Sequence, residues 1–320
     1  SAMRRISPKR ASMASPPVRS GDASEPPERA LAELAMRLRP ETASAAVRTS
    51  DDKPHGQREG AKQSFFVTDL VEGSVHTVTA TLAVISEHAY WFIDDTLDIV
   101  ADDLKAASQA YEDTIHPVMT QSVGEIRSPG IDNDPRLTVL TTRLKGAAGY
   151  FGSQDEYPRQ THPFSNEREM VYMDGSLLDP TSREYQSVLA HELQHAVHSN
   201  ADTGEDAWVN EGMSEVAKGL AGFGYDFVDF FLRRPQTQLD YWPDGFNRTP
   251  AHYGAATLFI AYLAEHYGGP DGLRAVVHES KDSVAGVEAY LATRGITFEE
   301  VFKDWVIANY LNADEGPFGY

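Results

Sequence analysis

The hydrophobic period of this chain changes once. Between Val75 and Met173 it reads mainly in steps of two, and from Asp179 to the end in steps of three and four. In VHTVTATLAVI (Val75–Ile85), Val78, Ala80, Leu82 and Val84 alternate with Thr77, Thr79 and Thr81. AYWFI (Ala89–Ile93), RLTVLTT (Arg136–Thr142) and MVYM (Met170–Met173) read as further strands. One helix interrupts them, Asp102–Met119, with Leu104, Ala107, Tyr111, Ile115 and Val118 on one face. After Asp179 the signals are helical. Thr181 and Glu184 form a capping-box pattern before a run to about His198. Asp206–Leu220 follows, then a helix opened by Thr249-Pro250 and closed by Gly268-Gly269-Pro270. Gly272–Glu279, Ser283–Arg294 and Phe298–Leu311 complete the set, the last behind a second capping box, Thr297 with Glu300. Strands gathered ahead of helices predict an α+β fold.

Residues 1–62 are rich in Ala, Ser, Pro, Arg and Glu, and only Ala30–Leu38 has helical spacing before Pro40 stops it. They read as a disordered tail or pro-segment remnant, with order beginning near Phe65. Residues 63–222 then form a subdomain with the sheet and two helices, and 223–320 a helical C-terminal subdomain. Ser1-Ala2-Met3 reads as an expression remnant, so removal of a natural signal peptide is expected.

Composition removes whole classes of function. There is no cysteine, so disulfide scaffolds, thiol nucleophiles and Cys-ligated metals are out. Lys and Arg number 28 against 48 Asp and Glu, a net charge of −20, which repels polyphosphate and argues against a nucleic-acid binder. No apolar run reaches the roughly 18 residues that span a bilayer; the nearest, Ala255–Ala264, is broken by Thr257 and Tyr262.

The most informative text is His191-Glu192-Leu193-Gln194-His195. A step of four on a helix turns both imidazoles the same way, the spacing two zinc ligands need, with Glu192 beside them to take a proton from water on the metal. A third ligand is required. The metzincin pattern places Gly at 198 and His at 201, where this chain has His198 and Ala201. A carboxylate from the next helix serves instead: in DAWVNEGMSE (Asp206–Glu215), Glu211 and Glu215 lie one turn apart. Glu211 can ligate while Glu215 accepts the free N–H of a ligating histidine. His198, three residues past His195, is rotated off the pair's direction and reads as a surface or supporting residue rather than a ligand.

HExxH followed by Asn-Glu-x-x-Ser-acid is similar to thermolysin-like gluzincins. Trp208-Val-Asn-Glu-Gly resembles the matching stretch of aminopeptidase N-type enzymes. The combined text HELQHAVHSN…WVNEGMSE looks most like hyicolysin-type bacterial metallopeptidases. The resemblance covers about residues 181–222, and the gap from His195 to Glu211 is shorter than in the thermolysin and aminopeptidase N relatives. It implies a zincin-like metalloprotease fold, a mixed twisted sheet over an active-site helix with a mostly helical C-terminal subdomain. It implies Zn2+ held by His191, His195 and Glu211, Glu192 as general base, and Glu215 where thermolysin-like enzymes have an Asp. Related gluzincins use a later Tyr or His to stabilise the oxyanion; His252 and Tyr253 in TPAHYGAATLF are the candidates here, with Tyr172 a weaker third. Either can equally be a packing residue at the start of an apolar helix.

The expected function is a zinc-dependent peptidase acting on peptides or proteins, secreted from a bacterium. Endopeptidase action is favoured, because the Gly-x-Met-Glu-Asn type of amine anchor is absent. The alternative is a non-catalytic binding or adhesion module that keeps a structural zinc, and a third class is a hydrolase of the same fold with another substrate. Two further stretches stay open at this point. Gly146–Tyr157 reads either as a border of the substrate cleft or as an ordinary Gly-rich loop, and Pro129–Asp134 as a calcium loop or, more simply, a turn. Nothing in the sequence sets an oligomeric state.

Overall fold

The computed structural model describes residues 56–243 and 248–320. The helix expected at Ala30–Leu38, and all of the tail before residue 56, lie outside the described residues. The chain is mixed α+β, and its described part divides by contacts into two compact units. One comprises 56–203 and 213–224, the other 204–212, 225–243 and 248–320.

The first unit is built on a six-stranded mixed sheet. Its strands are β1 (Lys62–Thr68), β2 (Val75–Ile85), β3 (Ala89–Asp94), β4 (Leu137–Thr142), β5 (Gly149–Phe151) and β6 (Met170–Asp174). Their spatial order is β1-β2-β3-β4-β6-β5. β3, β4 and β6 run parallel, and β2 and β5 flank them antiparallel. The three parallel strands are buried at every position, as strands covered on both faces must be. β2 keeps the alternation its sequence predicts, with Ala80, Leu82 and Val84 inside. β1 goes beyond the sequence reading. Phe65 and Val67 point into a core with Leu82, Phe92 and Tyr172, and the strand begins three residues ahead of Phe65.

The helix between β3 and β4 is not a regular one. α1 (Ala101–Ala110) passes through a π-helical turn, Tyr111–Ile115, into α2 (His116–Ser122). Leu104, Ala107, Tyr111 and Ile115 are buried as expected, but the next core residue is Met119 in place of Val118. The wider turn lags the helix by one residue, which swings Val118 out and Met119 in.

The second unit is helical. α5 (Val228–Leu232), α6 (Pro250–Tyr267), α7 (Gly269–Val277), α8 (Ser283–Ala292) and α9 (Phe298–Leu311) carry it. α6 is buried on all sides from Gly254 to Leu263, as its all-round apolar sequence requires. A Cβ at Gly254 would stand 2.5 Å from the Phe227 carbonyl oxygen, so only glycine lets α5 approach this closely. Trp305 of α9 stacks on Phe231 and meets Phe259 edge-on. The Thr297–Glu300 capping box that opens α9 is present in full. Among the described residues no helix is long and apolar enough to cross a membrane.

Candidate metal centre

The central helix, α3 (Arg183–Ala201), begins at Ser182, whose hydroxyl accepts a hydrogen bond from the Tyr185 amide at 3.1 Å. The capping pair read from the sequence, Thr181 with Glu184, is not the one used. Thr181 donates its amide and its hydroxyl back to Asp179 Oδ1, at 2.8 and 2.7 Å, because the carboxylate two residues upstream is the stronger acceptor. Tyr185 is wholly buried and its hydroxyl meets that of Thr141 on β4 at 2.8 Å, fastening the helix to the sheet.

One α3 face carries His191 and His195, and their Nε2 atoms converge to 3.1 Å. Glu211 on α4 (Ala207–Leu220) completes a group in which each residue offers one ligand atom, all within 4.8 Å of one another. Among the described residues this is the one His, Cys, Asp or Glu group that could hold a metal ion.

His191 is held from behind. His191 Nδ1 lies 3.1 Å from Glu215 Oε1, and Lys218 Nζ donates to both Glu215 oxygens at 2.8 and 2.9 Å. Burial pushes the Glu215 carboxyl up. The hydrogen bond and charge of His191, together with Lys218, more than reverse that and hold it down at about 2. Glu215 therefore stays an acceptor and takes a hydrogen bond from His191 Nδ1, with Nε2 on the side of His195. Ser214 Oγ lies 3.1 Å from His195 Nδ1 and 3.5 Å from its Nε2, side-on to the ring, and donates to Gln194 Oε1. Gln194 Nε2 reaches His198 Nδ1 at 3.3 Å. His198 is completely buried, so it supports the helix interior and is not a surface residue.

Ser214, Gln194 and Lys218 had no role assigned in the sequence. Gln194 sits at a variable position of HExxH, Ser214 is the Ser of Asn-Glu-x-x-Ser-acid, and Lys218 follows Glu215 by one helical turn.

Glu192 is 8% exposed, beside the histidine pair. The terminal strand β5 runs against it. A Cβ on Gly149 would lie 2.7 Å from Val188 Cγ1 and 3.2 Å from Glu192 Cγ, so glycine sets the gap between strand and helix. The Gly146–Tyr157 stretch is thus not a plain loop: it contributes the sheet's edge strand, paired to β6 through Gly149–Met173, Tyr150–Tyr172 and Phe151–Val171.

Three other candidates resolve differently. Tyr172 is fully buried and stacked on Tyr150. Its hydroxyl donates to Asp155 Oδ2 at 2.6 Å and accepts from Asn166 Nδ2 at 2.7 Å, which makes it a core anchor and removes it as an oxyanion donor. Around Pro129–Asp134, Asp134 accepts from the Tyr90 hydroxyl and the Arg136 amide, while Asp132 accepts from the Asp134 amide. These are the bonds of a turn. His252 and Tyr253 occupy the first turn of α6. His252 Nδ1 lies 3.2 Å from the Gln238 carbonyl oxygen, and Tyr253 sits among the rings of Phe227 and Trp242. Burial lowers the His252 pKa against the opposing pull of the Gln238 and Tyr241 carbonyls, which favours a neutral ring.

No model of a known protein family matches this chain, and no curated protein resembles it in sequence.

Proposed function

We propose that the protein is a zinc-dependent peptidase of the zincin kind, most similar to the gluzincins. The observation that carries the reading is the convergence of His191, His195 and Glu211 with Glu192 adjacent on the same helix. Two imidazole nitrogens and a carboxylate oxygen, with no thiolate in the chain, suit zinc in a three-ligand catalytic site. The tethering of His191 Nδ1 by Glu215 fits as well, since it turns the Nε2 side of that ring towards His195.

Zinc held there supplies Lewis acidity, polarising a carbonyl and bringing the pKa of water towards neutrality. Glu192 takes the proton as water attacks the scissile carbonyl carbon, then delivers it to the departing amine nitrogen as the C–N bond breaks. Tyr253 or His252 donates to the oxyanion, a role that rests on the likeness to related enzymes. β5, antiparallel at the sheet edge and in touch with Glu192, favours a substrate held in extended form by strand addition, and so an endopeptidase. Secretion is part of the same reading.

The test is digestion of a diverse peptide mixture followed by mass spectrometry, with Glu192→Gln alongside. Cuts are expected to fall by about 10²–10⁴-fold in the variant while bound zinc stays near one per chain. Lost zinc would remove Glu192 as base. Zinc bound by the unaltered protein without any cuts would favour a binding module instead.

A further inference from the structure

The face of α3 turned away from the metal group borders a cavity of about 180 Å³. Leu193 and Val197, both buried, form part of its floor. At 100° per residue they stand about half a turn round the helix from His191 and His195. Buried Met119 of α2 completes the floor. The space lies wholly within the first unit and takes in no residue of the metal group. It is close in size to the cavities of about 150 Å³ that hold a benzene ring, so it suits a single ring and is too small for a drug-sized molecule.

One wall is built in advance. The π-helical turn ends at Ile115 and hands on to His116, whose ring stacks on that of His88 at 3.9 Å and 19°. Glu112, within that turn, accepts from the amide and from Nδ1 of His88, at 2.9 and 2.6 Å. A charge on His88 is thus met by the one on Glu112. Burial, and then the charge of His88, lower the His116 pKa against the opposing pull of Glu112, Glu125 and Glu87, which favours a neutral ring.

The mouth is acidic. Glu125 lines it and is exposed, and Glu87 stands exposed next to His88. Among the described residues no Lys or Arg lines the cavity. The charge of Arg127, two residues on from Glu125, acts on the buried carboxyls of Glu156 and Glu169. Carboxylates at the mouth of an apolar cavity with a flat, neutral wall repel an anion and suit a cation with an apolar body.

We propose that this cavity binds a small organic cation of one ring, with its body on Met119, Leu193 and Val197 and its charged head at Glu125. The site is separate from the metal centre, and its test reads no hydrolysis, so it stands or falls apart from the peptidase reading.

The full chain, labelled with ¹³C at the methionine methyls, is titrated with benzamidine and with benzamide, a neutral molecule of nearly the same shape. The Met119 signal is identified by its loss in Met119→Leu. Benzamidine is expected to move that signal saturably with a Kd of about 1 mM, and benzamide to bind about three- to tenfold more weakly. Glu125→Gln alters an exposed side chain and should bring benzamidine down to the affinity of benzamide, leaving benzamide unchanged. Thr120→Trp, which fills the cavity from its wall, should remove the response to both. Circular dichroism confirms that each variant is folded. The proposal is overturned if the Met119 signal stays in place up to about 20 mM benzamidine, or if benzamide binds as tightly. It is equally overturned if Glu125→Gln keeps the preference or Thr120→Trp keeps the response.

Discussion

Glu215 on α4 and Glu156, in the short turn after β5, are withdrawn from solvent to a similar degree, 2% and 9% exposed. Burial raises the pKa of both. For Glu215, His191 and Lys218 within hydrogen-bond distance reverse the effect, and the group settles at about 2. For Glu156 the close partner is a neutral one, the Ser199 hydroxyl at 3.2 Å, and the charge of Glu169 adds to the burial. It settles at about 8. Glu169 itself, buried and facing Asp132, stands at about 7. Burial therefore does not decide whether a carboxyl in this fold carries charge; a cation at hydrogen-bond distance does. Glu215, which orients the metal group, is kept ionised, whereas burial without a close cation favours the protonated form of Glu156.

The sharpest way to break that contrast is to take away the cation. Lys218→Met leaves Glu215 buried with one partner fewer and should cost about 3 kcal/mol in urea unfolding. A loss below about 0.5 kcal/mol would mean that His191 suffices and that Lys218 is a bystander.

The next effect is a slope. Glu156 binds its proton more tightly folded than unfolded, so its contribution is complete below its ordinary value of 4.5 and fades as pH climbs through about 8. Stability should thus fall between about pH 5 and pH 8, by up to about 1 kcal/mol per pH unit for one such group. Glu156→Gln, which cannot ionise, should flatten the slope and exceed the unaltered protein in stability above pH 8. An unchanged slope would mean that Glu156 has a cationic partner in solution, with Arg127, whose charge already favours the ionised form, the candidate.

Smallest is Ser199→Ala. Removing the hydroxyl that helps the charged form should cost about 0.5–1 kcal/mol above pH 8 and less at pH 5. Equal losses at both values would show that Ser199 serves packing rather than the charge of Glu156.

What the sequence reveals here is what is local. β2 and α9 are legible to the residue because alternation and a capping box are written within a few positions. His191, His195 and Glu211 are legible because helical steps of four place side chains on one face, whatever the rest of the fold does. β5 is three residues long and exists through its pairing with β6, some twenty residues away, so its own text reads as a loop. Tyr172 misleads for a similar reason. Its hydroxyl is claimed by Asp155 and Asn166 from a separate turn, and no strand pattern announces that. The contacts of Gln194 with Ser214 and His198 are hidden more deeply, since they bring together side chains of two helices.

The π-helical turn has a consequence that belongs to genetics. Between Tyr111 and Ile115 the chain holds one residue more than an unbroken α-helix needs to present its core face. With Thr114 deleted, Leu104, Ala107, Tyr111, Ile115 and Met119 would fall within an arc of about 80° on a regular helix, all still directed inward. Thr114 is exposed, and Glu112, which receives both the amide and the Nδ1 of His88, precedes the deletion and keeps its bearing. An in-frame loss of one codon, which throws most buried helices out of register, is one this helix is built to absorb.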